Sequence, residues 1–232
     1  KIVAERLAAL GVEEIKTGIA VTGVTGLIRG TKAGANADTV VLLRADMDAL
    51  PIDEENEVNY KSQVPHKMHA CGHDAHTAML LGAARVLMGM RDQFSGTVKV
   101  LFQPAEEGGG GARVMIEQGV LENPKVDYAF GMHMEQGSPL DTISVRPGPA
   151  MAAADRFTIT IQGKGGHGAS PQETIDPIAV GAQIISALQT IVSREVDPIE
   201  PAVVTVGALH AGDAANVIPD TAELRGTLRS FN

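Results

Sequence analysis

Residues 39–48 read Thr39-Val40-Val41-Leu42-Leu43-Arg44-Ala45-Asp46-Met47-Asp48. The apolar run Thr39–Leu43 does not alternate with polar residues, which is the pattern of a strand covered on both faces of a sheet. Two aspartates at a spacing of two follow it, so both can face one site at the strand's carboxyl end, where α/β proteins tend to bind ligands. Working outward, Ala75–Met88 is rich in Ala, Leu and Met and predicts a helix. Val98–Phe102 predicts a second buried strand, Arg113–Gln118 a helix, and Asp127–Met132 a further strand. Upstream, Ala20–Gly30 reads as one strand with a turn at Gly23 and Gly26, and Thr142–Val145 as a short strand. Helices alternating with buried strands imply an α/β sandwich with a largely parallel sheet.

From Ala150 the pattern changes. Phe157, Ile159 and Ile161 alternate as in a half-buried strand, and Asp176-Pro177 supplies an N-cap and first-turn proline for a helix running to about Arg194. Ala202–Leu209 and Ala222–Leu228 predict two more strands. The expectation is two domains, residues 1–151 and 152–232, the second a β-α-β-β layer that needs one more helix and strand to be ferredoxin-like. Lys1–Leu10 reads as part of an amphipathic helix without a signal-peptide core, and a chain opening there without Met is expected to be part of a longer one.

Composition narrows the function. A net charge of −9 with no basic run gives nucleic acid no electrostatic foothold. Aromatic residues make up 3% and Trp is absent, so stacking platforms for bases or sugars are not expected. No apolar run is long enough to span a bilayer. The single cysteine, Cys71, rules out an intramolecular disulfide and fits a reducing, cytoplasmic compartment.

The densest polar cluster is His69-Ala70-Cys71-Gly72-His73-Asp74-Ala75-His76. Cys and His two apart on an extended segment point the same way and can reach one metal. Asp74 is placed to cap the helix that follows and to orient the neighbouring imidazoles. One histidine alone would read as a surface side chain; four potential ligands within eight residues favour metal. A catalytic Cys–His pair competes, but residues two apart seldom align as nucleophile and base. The pair Glu106-Glu107 follows the strand Val98–Phe102. Adjacent carboxylates diverge, so one can bind metal while the other faces a substrate water. The glycines 108–111 let backbone approach closely there, and no phosphate-loop pattern accompanies them. His133 lies beyond another strand end. Convergence of acidic, His and Cys side chains at such ends argues a polynuclear hydrolytic site.

With these residues in hand, the chain closely resembles the M20 family of metallopeptidases and amidohydrolases, in its aminoacylase and hippurate hydrolase branch. That branch includes hydrolases of indole-acetyl amino acids and of N-acetyl-diaminopimelate. The matching stretches are RADMDALP (44–51), HACGHDAH (69–76), QPAEEGGGGA (103–112), GMH (131–133), GKGGHGASP (163–171), DPI (176–178), SRE (193–195), NVIPD (216–220) and GTLRSF (226–231). They fall in family order across nearly the whole chain.

The resemblance implies a three-layer α/β/α zinc-peptidase-like catalytic domain carrying an inserted ferredoxin-like lid that also forms a homodimer. It implies Cys71, His73, Glu107 and His133 as ligands of two divalent metal ions (Zn, Mn, Co or Ni), Glu106 as general base and Asp48 as its supporting carboxylate. Asp46 stands where related branches carry a metal-binding His. In the lid, His167 resembles the histidine that stabilises the oxyanion, often across the dimer, and Asn216 and Arg229 the pair that grips the substrate carboxylate. The implied substrates are N-acyl amino acids or short peptides. Dipeptidase or carboxypeptidase activity, a non-catalytic metal-binding role and a Cys71-dependent hydrolase are the alternatives. Family members continue past this point to another metal-binding His, so this chain alone is expected to bind metal incompletely and turn over poorly.

Overall fold

The computed structural model describes residues 1–231, which divide into two compact units, residues 1–140 and residues from Asp141 onward. In chain order the first unit holds α1 (Ile2–Ala9), β1 (Glu13–Ile19), β2 (Gly23–Arg29), β3 (Val40–Asp46), α2 (His73–Gly89), β4 (Thr97–Gln103), α3 (Gly111–Glu117) and β5 (Tyr128–Gly131). Its strands form one sheet in the order β1-β2-β4-β3-β5.

Parity along the strands sorts the side chains between two cores. Ala45, Val100, Phe102 and Ile28 point to the face covered by α1 and α2, joining Val3, Leu7, Leu80 and Ala84. Leu42 and Leu101 point the other way and meet Met115 of α3 and Val120. Each fully buried side chain of this size contributes roughly 1.5–3 kcal/mol over its exposed state. Helices on both faces make three layers, and they explain why Thr39–Leu43 shows no polar alternation. β3 runs parallel to β4 and β5, and its register sets Asp46 beside Gln103 and Arg44 beside Gly131. Three neighbouring strands therefore deliver their carboxyl ends to the same edge.

Half of the sheet differs from expectation. β1 and β2 form an antiparallel hairpin and β2 is antiparallel to β4, so only the β4-β3-β5 portion is parallel. The turn lies at Ala20-Val21, both with positive φ (46° and 74°), where such turns usually carry Asn-Gly. Bulges interrupt β1's alternation, which removes its sequence signature. Gly26 sits inside β2 because a Cβ there would come within 2.6 Å of a Val12 methyl.

The second unit holds β6 (Ala153–Gln162), β7 (Gly166–His167), α4 (Pro177–Thr190), β8 (Ala202–His210), β9 (Val217–Ile218) and β10 (Thr221–Ser230). β6, β10 and β8 form an antiparallel sheet with β10 in the middle, and β7 pairs with β9. Asp176 caps α4 as predicted, accepting from the N–H groups of Ile178 and Ala179 at 2.8 and 3.3 Å. The last turn loosens into a π-helical segment, Ile191–Glu195. Ile161, Ala222 and Leu224 form the core against Ile184 and Ile185. Thr142–Val145 forms no strand, and Ile143 and Val145 are exposed.

Candidate metal centre

The carboxyl ends of β3, β4 and β5 lead into the segments that carry Asp48, Glu106-Glu107 and His133, and α2 opens at His73. Gly72 caps α2 in the left-handed conformation (φ 78°), a turn that favours glycine and that brings Cys71 and His73 to the same place. Asp74 does not cap the helix; it lies exposed in the first turn, while Asp46 and Asp48 from the β3 exit hold the imidazoles.

His73 is 1% exposed. Its Nδ1 lies 3.0 Å from the Asp48 carbonyl and 3.3 Å from Asp48 Oδ1, so the proton sits on Nδ1 and Nε2 carries a lone pair. Among the described residues that Nε2 has no hydrogen-bond partner, and neither has Asp48 Oδ1. Nε2 instead faces Asp46 Oδ2 at 3.6 Å and Glu107 Oε1 at 3.9 Å, too far for hydrogen bonds. An orphaned buried acceptor costs about 1–3 kcal/mol, and two carboxylates beside it leave a place that a cation would satisfy. His133 is prepared in the same way. Its Nδ1 donates to the Met134 carbonyl at 2.6 Å, which leaves Nε2 facing Cys71 Sγ at 3.3 Å.

Among the described residues, three sets of donor atoms gather within 4.8 Å of one another: Cys71-His73-His133, Asp46-His73-His76 and His73-Glu106-Glu107. His73 belongs to all three. Thiolate, imidazole and carboxylate donors in such a cluster suit a divalent transition metal. Burial pushes the Asp46 carboxyl up, but the His76 hydrogen bond and the Arg44 guanidinium outweigh it and hold the group below its usual value. Burial likewise opposes Asp48, whose bonds from the Glu107 and Glu106 N–H groups win and lower it. The Cys71 thiol is pushed up, first by burial and then by Glu107, so a metal must displace its proton.

Glu106 is exposed, and the Glu107 side chain is 29% exposed. The Glu107 N–H donates to Asp48 Oδ2 at 3.0 Å, which ties the β4 exit to the β3 exit. The last glycine of the run behind this turn is sterically required, since a Cβ on Gly111 would lie 1.8 Å from the Pro104 carbonyl oxygen.

Sequence reasoning gave no role to Arg44 or Gln103 and did not separate His76 from the other candidate donors of the 69–76 cluster. Arg44 bridges Gln103 Oε1 (2.9 Å) and Asp46 Oδ2 (2.8 Å), a polar link just past the two runs read as apolar strands. In the second unit, His167 pairs with Val217 across the β7-β9 ladder, next to Asn216, whose carbonyl accepts from the Gly168 N–H at 2.8 Å. Arg229 is not with them. It sits eight residues along β10 from Thr221, roughly 26 Å away at an extended rise per residue. The expected Asn216–Arg229 pair is therefore not brought together within one copy of the chain.

A mixed sheet with helices on both faces, and a Cys/His/carboxylate cluster at the ends of its parallel strands, define an α/β protein with a candidate polynuclear metal centre. The chain belongs to peptidase family M20/M25/M40, whose family model matches residues 42–226. It is 48% identical to thermostable carboxypeptidase 2 of Saccharolobus solfataricus, a match covering 100% of this chain and 58% of that protein. It is 50% identical to IAA-amino acid hydrolase ILR1-like 4 of Arabidopsis thaliana, covering 100% of this chain and 51% of that one. The crystal structure of Bacillus subtilis YxeP, a dinuclear metal-binding peptidase of the M20 family, superposes with a TM-score of 0.79 at 42% identity, over 100% of this chain and 57% of that one. The chain thus spans somewhat more than half the length of these relatives. Among the described residues, no helix is long and apolar enough to cross a membrane.

Proposed function

We propose that the chain is part of a metal-dependent amidohydrolase that cleaves the amide bond of N-acyl amino acids. The observation that carries this reading is His73, a buried imidazole whose Nε2 has no partner and faces the carboxylates of Asp46 and Glu107. Cys71, His73, Glu107 and His133 would hold two divalent ions, Zn, Mn, Co or Ni, which supply Lewis acidity and lower the pKa of a water. Glu106, exposed beside this cluster, takes the proton of the attacking water and returns it to the leaving amine. Asp48 orients the site through the Nδ1 proton of His73 and the N–H of Glu107.

In the second unit, read as a lid, His167 stabilises the developing oxyanion, Asn216 assists, and the Arg229 guanidinium takes the substrate carboxylate in a bidentate grip. Arg229 lies eight residues along β10 from Thr221, away from Asn216 and the β7-β9 ladder, which supports a homodimer joined through this unit, so that one substrate meets Arg229 of one copy and His167 and Asn216 of the other. A carboxypeptidase or dipeptidase is the second reading, supported by the likeness to the Saccharolobus carboxypeptidase.

The test is Glu106→Gln in the full chain. Turnover of an N-acyl amino acid should fall by roughly 10²–10⁴-fold, the usual contribution of a general base, with metal content by elemental analysis unchanged. An unaltered kcat would remove Glu106 from that role. Comparing acyl-amino acids with dipeptides on the parent separates the two readings.

A further inference from the structure

His76 is 2% exposed and stands beside His73 and His133, with ring centroids 5.5 and 4.8 Å away. By type and position it could be a ligand, and it belongs to one of the three donor sets. Its hydrogen bonds say otherwise. Nδ1 lies 2.6 Å from Asp46 Oδ1, so it carries the proton and donates to the carboxylate. Nε2 is then the acceptor, and it takes the backbone N–H of Met134 at 2.8 Å. Both nitrogens are occupied by fixed groups of the fold, whereas His73 and His133 each spend Nδ1 on a backbone carbonyl; the Nε2 of His73 then has no hydrogen-bond partner among the described residues, and that of His133 faces Cys71 Sγ at 3.3 Å, itself a candidate ligand.

We propose that His76, locked in one tautomer by Asp46, is a positioning residue that anchors the loop carrying His133 and is not itself a metal ligand. Asp46 is in turn fixed by Arg44 Nη1 at 2.8 Å, and Arg44 by Gln103 Oε1 at 2.9 Å. The chain of contacts runs from β4 through β3 and α2 to the backbone one residue past His133. That loop needs the anchor, because His133 is exposed and its ring hydrogen bonds go to soft partners, the carbonyl of Met134 and the sulfur of Cys71, with the His76 ring packed edge-on beside it. The Met134 side chain also closes over Gly72, where a Cβ would lie 3.3 Å from Met134 Cβ, so the same residue meets the cap of α2. Outer partners of this kind typically set metal affinity by 10–100-fold.

The inference rests on the metal-centre reading above, and the experiment separates the two. In the full chain, Co²⁺ is titrated against a chelator while the thiolate-to-cobalt charge-transfer band of Cys71 is followed. His76→Phe keeps ring bulk but offers neither donor nor acceptor, and should weaken cobalt binding by 10–100-fold and shift the band. His76→Gln keeps one donor and one acceptor and should recover much of the affinity. Parent-like affinity and spectrum in His76→Phe overturn the proposal, whereas a parent with no thiolate band overturns the metal-centre reading itself. A second measurement needs no variant. Imidazole ¹⁵N NMR of the parent should show His76 as the Nδ1–H tautomer with and without ¹¹³Cd²⁺, and a direct cadmium coupling to His76 would make it a ligand and end the idea.

Discussion

Replacing Gly111 by Ala tests whether the turn carrying Glu106 and Glu107 is held by steric fit. Gly111 opens α3, its N–H donates to the Ala105 carbonyl at 3.0 Å, and its φ is not in the left-handed region. The problem with a side chain is contact alone. The added Cβ would lie 1.8 Å from the Pro104 carbonyl oxygen and 2.8 Å from its carbon, where real Cβ contacts essentially never fall below 3.0 Å. The two backbones must therefore separate by at least 1.2 Å, and neither is a side-chain end that can swing away. Overpacking of this kind costs about 1–3 kcal/mol. In a chain of this length that lowers Tm by roughly 2–12 °C. The displacement falls two residues before the Glu pair and stretches the 3.0 Å bond from the Glu107 N–H to Asp48. Misplacement of catalytic groups by about 1 Å costs on the order of 10²-fold in rate. Thermal unfolding and kcat on an N-acyl amino acid, measured on the full chain with metal, check both effects. A Gly111→Ala protein with the parent's Tm and kcat would show that the turn is not fixed by this approach.

Gly82 gives the opposite sign: it is exposed within α2 and a Cβ there meets nothing within 4 Å, so Gly82→Ala should stabilise by about 0.5–1 kcal/mol in a denaturant titration. Lys99 is 3% exposed and donates from Nζ to the carbonyls of Val120 and Asn123 at 2.5 and 3.0 Å, and burial pulls its pKa down. Lys99→Met orphans the buried Val120 carbonyl and should destabilise by about 1–3 kcal/mol, with faster amide exchange over residues 119–125. Asp46 and Asp48 are both held below their usual value, so their contribution to stability is complete above the unfolded value of about 3.9 and is lost as pH falls through the lower folded values. Urea midpoints of chelator-treated protein should therefore drop below about pH 4, and less steeply in Asp46→Asn; a flat profile there would contradict the ionised pair.

How far the sequence reaches can be judged residue by residue. Thr39–Leu43 and Val98–Phe102 read as buried strands and fall within or at the edge of β3 and β4, because burial on both faces leaves a local mark, an unbroken apolar run. Asp176-Pro177 announced α4 because a cap is a contact between near neighbours in sequence. The hairpin of β1 and β2 was hidden, since bulges erase its alternation and its turn uses Ala20 and Val21. In the site, the motif around Cys71 and His73 named candidate donors by chemistry and spacing alone.

What tertiary structure decided is which nitrogen of each histidine is free. That depends on partners 25 to 58 residues away: the Asp48 carbonyl for His73, the Asp46 carboxylate and Met134 N–H for His76. Asp74, adjacent in sequence, was the natural candidate to orient the rings, yet α2 turns it outward and the register of β3 brings Asp46 and Asp48 in. The same holds for Asn216 and Arg229, close in sequence but set apart because Asn216 precedes β9 and Arg229 lies near the far end of β10, and an extended strand spends its length in one direction. By itself, then, the sequence determined the donor chemistry and the strands and helices that local pattern encodes. The pairing of those donors, and the buried imidazole nitrogen left without a partner, came only with the fold, because hydrogen bonds between distant strand ends leave no trace in local sequence.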